Sequence, residues 1–192
     1  MAFEKTTISD QSGSSDDALT PRSTLSVQIC VMAYNLEDSI QETLRSLVGA
    51  YRPYSAHVYV MVNGCRDNTL QKVEELSLEM PEMTAVNIAF GDKANAWNTF
   101  VYDHYDGHSI AVFADGDLTF ENAALSNLIT YYRAHPDYNA VSGYPFSGGR
   151  SAKAWQKELR EKHLLPAICI SFPPRSCSGS ESWESGCRWV DW

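Results

Sequence analysis

Short apolar runs alternate along the chain with segments in which apolar residues recur every three or four positions. The apolar runs predict strands at 26–33, 57–62, 85–90, 109–114 and 140–142. The segments with helical spacing predict helices at 36–48, 68–80, 93–105, 122–135 and 151–163. This alternation is typical of an α/β fold, in which helices flank a mostly parallel sheet.

The two ends of the chain lack this alternation. Residues 1–23 are rich in serine, threonine and aspartate, and we expect a disordered leader there. Residues 166–192 are dense in serine, cysteine, tryptophan, proline and glycine, which predicts an irregular C-terminal tail. This tail resembles a truncated or frame-shifted end, or else a divergent terminus. The segment between them, 24–165, is long enough to form one domain with its own core.

Composition and charge narrow the function classes. The formal net charge of −9 and the pI of about 4.9 disfavour nonspecific binding to nucleic acid. The five cysteines show no zinc-ligand spacing, and their odd number, together with the cytosol-like composition, predicts reduced thiols. The absence of a signal peptide and of a run of about 20 apolar residues favours a cytoplasmic protein. A basic stretch at 150–162 can contact an anionic membrane surface, although a solvated helix face is the simpler explanation.

The most informative segment is 109–117, where an apolar strand ends in two aspartates separated by one glycine. Ligands of open α/β sheets bind in the crevice at the carboxyl ends of the strands. Asp115 and Asp117 therefore offer hard oxygen ligands for Mg²⁺ or Mn²⁺, and such a metal can in turn hold a diphosphate. A polar turn after the strand is the structural alternative.

Polar residues also follow the first three predicted strands. The segments are Ala33-Tyr34-Asn35-Leu36-Glu37-Asp38, Asn63-Gly64-Cys65-Arg66-Asp67-Asn68-Thr69 and Gly91-Asp92-Lys93-Ala94-Asn95-Ala96. In a parallel sheet all of them, together with the aspartate pair, lie at one edge and form a crevice.

The order and spacing of these segments resemble the family 2 glycosyltransferases, which have the GT-A fold and use nucleotide-sugars. The resemblance covers roughly residues 25–145, and the family patterns are Ala-Tyr-Asn-Glu-Glu, Asn-Gly-Ser-x-Asp-Asn-Thr, Gly-Lys-x-Asn-Ala and Asp-x-Asp. It implies transfer of a sugar, with inversion, from a nucleoside-diphosphate sugar to a hydroxyl of a glycan or lipid acceptor. It also implies assistance by Mg²⁺ or Mn²⁺.

The same resemblance implies a role for each matching residue. Asp117 would coordinate the metal directly, and Asp115 would contact the metal, a metal-bound water or the ribose. Lys93 would contact phosphate. The other nucleotide-sugar contacts fall on Ala33, Tyr34, Asn35, Glu37, Asn63 and Gly116, with Tyr34 packed on the base and Asn63 bonded to the base or ribose.

Structural roles are the alternatives for several of these residues. Asn35, Asp67 and Asn68 can cap helices. Tyr34 can pack in the core, and Lys93 can be a solvated surface lysine.

The sequence departs from the family pattern in two places. Leu36 stands where the family usually has an acid, and Asn63 stands where many members have aspartate. After residue 145 we recognise no carboxylate that would deprotonate the acceptor. The main alternative is therefore a non-catalytic or regulatory protein that binds nucleotide-sugars.

Two other nucleotide-related classes are disfavoured. A Rossmann dehydrogenase needs a glycine-rich turn after the first strand, and residues 32–38 contain no glycine. An Asp-x-Asp phosphatase would carry its motif after the first strand rather than the fourth.

Overall fold

A computed structural model describes residues 26–138, 140–143 and 168–171 of the chain. Its strands are β1 (Ser26–Ala33), β2 (Ser55–Asn63), β3 (Met83–Ile88), β4 (Ile110–Asp115), β5 (Ala140–Ser142) and β6 (Ile168–Ser171). Its helices are α1 (Ile40–Tyr51), α2 (Thr69–Glu79), α3 (Lys93–Thr99) and α4 (Ala124–Ala134). A π-helical turn, Phe100–His104, follows α3 directly.

The strands form one six-stranded sheet in the order β3-β2-β1-β4-β6-β5. The first four in this order are parallel, whereas β6 is antiparallel to both of its neighbours. The chain moves outward from β1 to β3 and then returns to the other side of β1 for β4. Strand order therefore reverses between β1 and β4, and ligands of open α/β sheets bind beyond the carboxyl ends at such a point.

Both faces of the sheet are covered at β1, which is buried from its second residue onward. On one face Ile29 belongs to the larger core, which α1, α2 and α4 complete. On the other face Cys30 packs in a smaller core with Phe113, and the Trp97 ring from α3 stacks on Phe113 with centroids 3.7 Å apart. Burial on both faces explains why the central strands are continuous apolar runs in the sequence.

The predicted fold class, an α/β sheet flanked by helices, is confirmed. Some element bounds differ from the prediction. The third strand lies at Met83–Ile88 rather than 85–90, and the first helix begins at Ile40 rather than near Leu36. The third predicted helix, 93–105, is α-helical only to Thr99, and the π-helical turn completes it.

The sequence did not predict β6. Ile168–Ser171 lies within 166–192, where the composition predicts an irregular tail, yet these four residues form a strand between β4 and β5. The predicted leader 1–23, the predicted helix 151–163 and the basic stretch 150–162 lie outside the described residues. In the part of the chain that the structure describes, no helix is long and apolar enough to cross a membrane.

Candidate functional site

An ion pair lies at the carboxyl end of β4. Asp115, the last residue of β4, accepts a hydrogen bond from Lys93 Nζ at 2.7 Å. Lys93 is the first residue of α3, so the pair joins α3 to the end of β4. The Lys93 side chain is 64% exposed and that of Asp115 is 30% exposed, so both are accessible to a ligand. Asp117 follows in the turn after β4 and is exposed.

Gly116 holds this turn against the end of β1. Its N–H donates to the Met32 carbonyl at 2.9 Å. A Cβ at this position would lie 2.8 Å from the Met32 carbonyl oxygen and 2.9 Å from Leu36 Cδ1. Both distances are too short for a side chain, so only glycine fits without displacing backbone. The close approach fixes the position of Asp115 and Asp117 relative to β1.

A second close backbone approach joins the loops that follow β2 and β3. Gly64 has φ +63°, and a Cβ there would lie 2.5 Å from Gly91 Cα. The Gly64 N–H also donates to the Ile88 carbonyl at 2.7 Å. Residue 64 must therefore be glycine on two counts, backbone conformation and space. A Cβ at Gly91, by contrast, would meet only ordinary contacts of 3.4 Å or more.

Asn63, the last residue of β2, positions the start of α3. Its side chain is buried, and its Oδ1 accepts the Asp92 N–H at 3.0 Å. Asp92 is the N-cap of α3, because its carboxylate accepts the Asn95 N–H at 2.9 Å. Asn63 thus fixes the backbone from which the Lys93 side chain extends. Its predicted bond to the base or ribose stays a prediction.

Two carboxylates link the loop after β1 to the loop after β2. Glu37 Oε2 accepts hydrogen bonds from the N–H and the Nδ2 of Asn68, both at 2.9 Å. Asp67 Oδ2 accepts the Glu37 N–H at 3.1 Å. Asp67 Oδ1 accepts the Thr69 N–H at 3.1 Å and the Thr69 hydroxyl at 2.6 Å. The hydroxyl oxygen of Thr69 in turn accepts the Leu36 N–H at 2.7 Å.

These bonds distinguish the two candidate caps of α2. Asp67 bonds the first residue of the helix, whereas the N-cap residue Asn68 makes no capping bond with its side chain. Burial raises the pKa of the Asp67 carboxyl, but the hydrogen bonds from Thr69 and Glu37 outweigh it. The pKa of Asp67 therefore lies below its ordinary value of 3.8.

Asn35 and Cys65 form a second link between the same loops. Asn35 has φ +50°, and its Oδ1 accepts the Arg66 N–H at 2.9 Å. The Asn35 N–H donates to Cys65 Sγ at 3.2 Å, and Cys65 donates in turn to the Ala33 carbonyl at 3.5 Å. The thiol therefore accepts and donates one hydrogen bond each, as a serine hydroxyl would at this position of the motif.

Two aromatic side chains are exposed at this edge of the sheet. Tyr34, directly after β1, is 57% exposed, and Phe90, between β3 and α3, is 72% exposed. Core packing, the structural alternative for Tyr34, is therefore excluded. The sequence analysis does not include Phe90 among the candidate site residues, because Phe90 is the last residue of the predicted apolar strand 85–90. Its exposure is visible only in the structure.

The donor set at β4 fits a hard divalent cation. In the described ranges, no group of three or more His, Cys, Asp or Glu side chains is arranged to hold a metal. Asp115 and Asp117 alone still suit Mg²⁺ or Mn²⁺, because such ions keep several waters and share ligands with substrate phosphates. The ammonium group of Lys93 on Asp115 shows that this carboxylate already attracts a cation.

The strand order defines the class: an open α/β domain in which the order reverses between β1 and β4, the position where such sheets bind their ligands. A family model described as Glycosyl transferase family 2 matches residues 28–180. The chain therefore belongs to glycosyl transferase family 2, and it is a glycosyltransferase domain with the GT-A fold. The match extends beyond residue 145, where the motif resemblance ends, and it includes β6.

Solved structures share this fold. Mannosyltransferase PcManGT from Pyrobaculum calidifontis, in complex with GDP-Man and Mn²⁺, matches with a TM-score of 0.60 and 22% identity, over 76% of this chain and 44% of that chain. Residues 1–349 of S. aureus TarS in complex with UDP match with a TM-score of 0.54 and 21% identity, over 66% of this chain and 37% of that chain. Glucosyl-3-phosphoglycerate synthase from Mycobacterium tuberculosis, in complex with Mn²⁺, UDP-Glc and phosphoglyceric acid, matches with a TM-score of 0.54 and 17% identity, over 77% of this chain and 56% of that chain.

At these identities the likeness establishes the fold and not the substrate. The chain spans 44% of the mannosyltransferase and 56% of the synthase, so it corresponds to part of each protein. A search of curated proteins found no match.

Proposed function

We propose that the chain binds a nucleoside-diphosphate sugar with Mg²⁺ or Mn²⁺ where β1 and β4 end, and that it transfers the sugar to a glycan or lipid hydroxyl. The supporting observation is the turn after β4, where Gly116 lies against β1 and Asp115 pairs with Lys93. Family membership supports the reaction class. Two of the solved structures with this fold contain a nucleotide-sugar and Mn²⁺.

Four side chains have proposed roles in donor binding. A bound divalent cation would neutralise the charge that develops on the departing nucleoside diphosphate. Asp117, which is exposed, would hold this cation directly, and Asp115 would be the second carboxylate or the partner of a metal-bound water or the ribose. Lys93 would contact the phosphates as a compact cation. The exposed Tyr34 ring would pack on the base.

The remaining predicted contacts have a different proposed role. Ala33, Asn35, Glu37 and Asn63 all hydrogen-bond to neighbouring loops. Gly116 contacts β1 through its backbone. We propose that these residues hold the loops of the crevice at fixed positions relative to one another. Their backbone groups, more than their side chains, would then face the ligand.

Calorimetric titration of the full chain with UDP and with GDP, with and without Mn²⁺, tests the donor site. We expect one nucleotide to bind in a metal-dependent manner, and Asp117→Ala to abolish this binding. Asp137, an exposed aspartate beyond α4, provides the matched control Asp137→Ala, which should bind as the wild type does. Undiminished metal-dependent binding by a folded Asp117→Ala variant would contradict the assignment.

Base packing on Tyr34 has its own test. Stacking of a base on an aromatic ring is worth about 1–3 kcal/mol, so Tyr34→Ala should weaken nucleotide binding by about fivefold or more. Tyr102, which is 66% exposed on the π-helical turn, gives the matched control Tyr102→Ala. Equal losses in the two variants would argue against a base site at Tyr34.

Donor binding without transfer is the second candidate function. The supporting observation is that all the residues proposed for donor binding lie in the described part of the chain, and none of them is proposed as the base that deprotonates the acceptor. Release of free sugar or transfer to an added acceptor, measured with the donor that binds, would exclude it. Binding with no turnover of any kind would support it.

We propose that the protein is cytoplasmic and that, if its acceptor is a lipid, it contacts the membrane surface through the basic stretch 150–162. This stretch lies outside the described residues. Co-sedimentation with anionic and with neutral vesicles tests this contact. Equal recovery with both kinds of vesicle would argue against it.

A further inference from the structure

The ion pair between Lys93 and Asp115 occupies one of the two carboxylates that we propose for the metal site. Lys93 Nζ lies 2.7 Å from Asp115 Oδ1, at the hydrogen-bonding distance of a charge-assisted pair. The same ammonium group is the proposed phosphate contact. One cation therefore has two potential anionic partners, the carboxylate and the diphosphate, and a metal ion that takes the carboxylate would repel the ammonium group and favour its contact with the diphosphate.

We propose that Lys93 is an exchangeable counter-cation, which neutralises Asp115 in the ligand-free protein and transfers to the diphosphate when nucleotide and metal bind together. This inference rests on the proposed donor site. It goes beyond that site because it predicts that the metal binds weakly alone and that metal and nucleotide strengthen each other's binding.

The protein fixes the backbone of Lys93 and leaves its side chain able to move. Two hydrogen bonds fix the preceding residue, Asp92: its N–H donates to Asn63 Oδ1, and its carboxylate accepts the Asn95 N–H. The Lys93 side chain is 64% exposed and has a flexible four-carbon stem. We therefore expect transfer to a phosphate to take place by rotation of side-chain bonds, without movement of α3.

The charges at the edge explain why the two ligands would be coupled. A divalent cation that binds alone must compete with the Lys93 ammonium for Asp115 and remain next to a like charge. A diphosphate that binds alone must approach two carboxylates, Asp115 and Asp117. When both bind, the metal lies on the carboxylates and the lysine lies on the phosphates. Each ligand then removes the repulsion that opposes the other, and such coupling is reciprocal.

Manganese titration of the wild type and of Lys93→Met, without nucleotide, tests the exchange directly. We expect Lys93→Met to bind Mn²⁺ alone roughly three- to tenfold more tightly, as removal of one partly exposed competing charge would produce. Lys93→Arg keeps the charge and should behave like the wild type in this experiment. Lys72→Met, on α2, removes one positive charge elsewhere and is the matched control.

The second measurement is the same titration in the presence of the nucleotide that the wild type binds. The wild type should bind Mn²⁺ more tightly with nucleotide than without it, and this enhancement should be smaller in Lys93→Met. Lys93→Gln provides a second neutral variant if Lys93→Met is poorly folded, which circular dichroism would reveal.

The outcomes separate this inference from the proposed function. If the wild type binds nucleotide with metal, but neutral Lys93 variants bind Mn²⁺ alone no more tightly than the wild type, the exchange is wrong and the donor site stands. If the wild type binds no nucleotide under any condition, the proposed function fails. In that case tighter Mn²⁺ binding by the neutral variants would still show that Lys93 competes for the carboxylates.

Discussion

Asn63 Oδ1 accepts the backbone N–H of Asp92 at 3.0 Å, across the gap between the loops that follow β2 and β3. The side chain of Asn63 is buried, whereas Asp92 is exposed and begins α3. One amide side chain thereby sets the position of the helix whose first residue is Lys93. The two halves of the candidate site, at β2–β3 and at β4, are connected through this bond and the Lys93–Asp115 pair.

Removal of the Asn63 acceptor should reduce stability. In Asn63→Ala the Asp92 N–H loses its partner, so we expect the free energy of unfolding to fall by about 1–3 kcal/mol. Asn63→Asp keeps an acceptor oxygen in the same place and should cost less. Urea denaturation of the two variants and the wild type measures this. An Asp variant that is as unstable as the Ala variant would contradict the role of the hydrogen bond.

A methyl group at position 116 should disrupt the turn after β4. In Gly116→Ala the new Cβ would lie 2.8 Å from the Met32 carbonyl oxygen. We expect a loss of about 1–3 kcal/mol in stability, typical of overpacking, together with weaker binding of Mn²⁺ and nucleotide. Gly91→Ala is the control in the same crevice, because its Cβ meets ordinary contacts. Equal unfolding free energies for the two variants would show that the close approach to β1 is unimportant.

Cys65 should be replaceable by serine but not by alanine. Cys65 Sγ accepts the Asn35 N–H and donates to the Ala33 carbonyl, and a serine hydroxyl can make both bonds. We expect Cys65→Ser to stay within about 0.5 kcal/mol of the wild type and Cys65→Ala to lose about 1 kcal/mol. Thermal unfolding compares them. If the serine variant were the less stable of the two, the link between these loops would not depend on hydrogen bonding.

Acid should weaken the links that Asp67 makes. The pKa of Asp67 in the folded protein lies below its ordinary value of 3.8, because hydrogen bonds from Thr69 and Glu37 outweigh the effect of burial. The unfolded chain therefore takes up this proton first as the pH falls. The stabilisation from Asp67 is fully present above pH 3.8 and is lost as the pH falls through the lower, folded-state pKa.

Asp67→Asn tests this pH dependence. At neutral pH the variant should be less stable than the wild type, since an amide cannot accept hydrogen bonds on both sides. The difference should shrink as the pH falls below 3.8, where the wild-type carboxyl also becomes protonated. Urea denaturation at pH 7, 5, 4 and about 3 measures both proteins. A difference that stayed constant over this range would contradict the role of the Asp67 charge.

Most of the sheet could be predicted because the central strands are buried on both faces. The runs at β1, β2 and β4 are therefore continuous in the sequence, and their alternation with helices indicates parallel pairing. The position of β3 could not be predicted to the residue, because it depends on contacts such as the bond from the Gly64 N–H to the Ile88 carbonyl. The strand β6 has only four residues and pairs with β4, far away in sequence, so local pattern does not reveal it.

For the candidate site, the sequence predicts which residues follow each strand, but not which of their side chains are exposed. The motifs predict that Tyr34, Glu37 and Asn63 are polar residues at the carboxyl ends of β1 and β2. Which of them stays exposed depends on the opposite loop. Glu37 bonds to Asn68, and Asn63 bonds to Asp92, whereas the Tyr34 ring is 57% exposed. Motif position therefore predicts which residues lie at this edge of the sheet, and tertiary contacts decide which of their side chains are exposed there.

The pairing of β6 has a consequence for how the chain is made. Among the strands that the structure describes, β4 has β1 on one side and β6 on the other, and β5 pairs with β6. During synthesis, the edge of β4 that pairs with β6 therefore stays unpaired until residues 168–171 have left the ribosome. An open strand edge is a template for pairing with other chains. Nascent chains that stall before this point should be the most prone to aggregate.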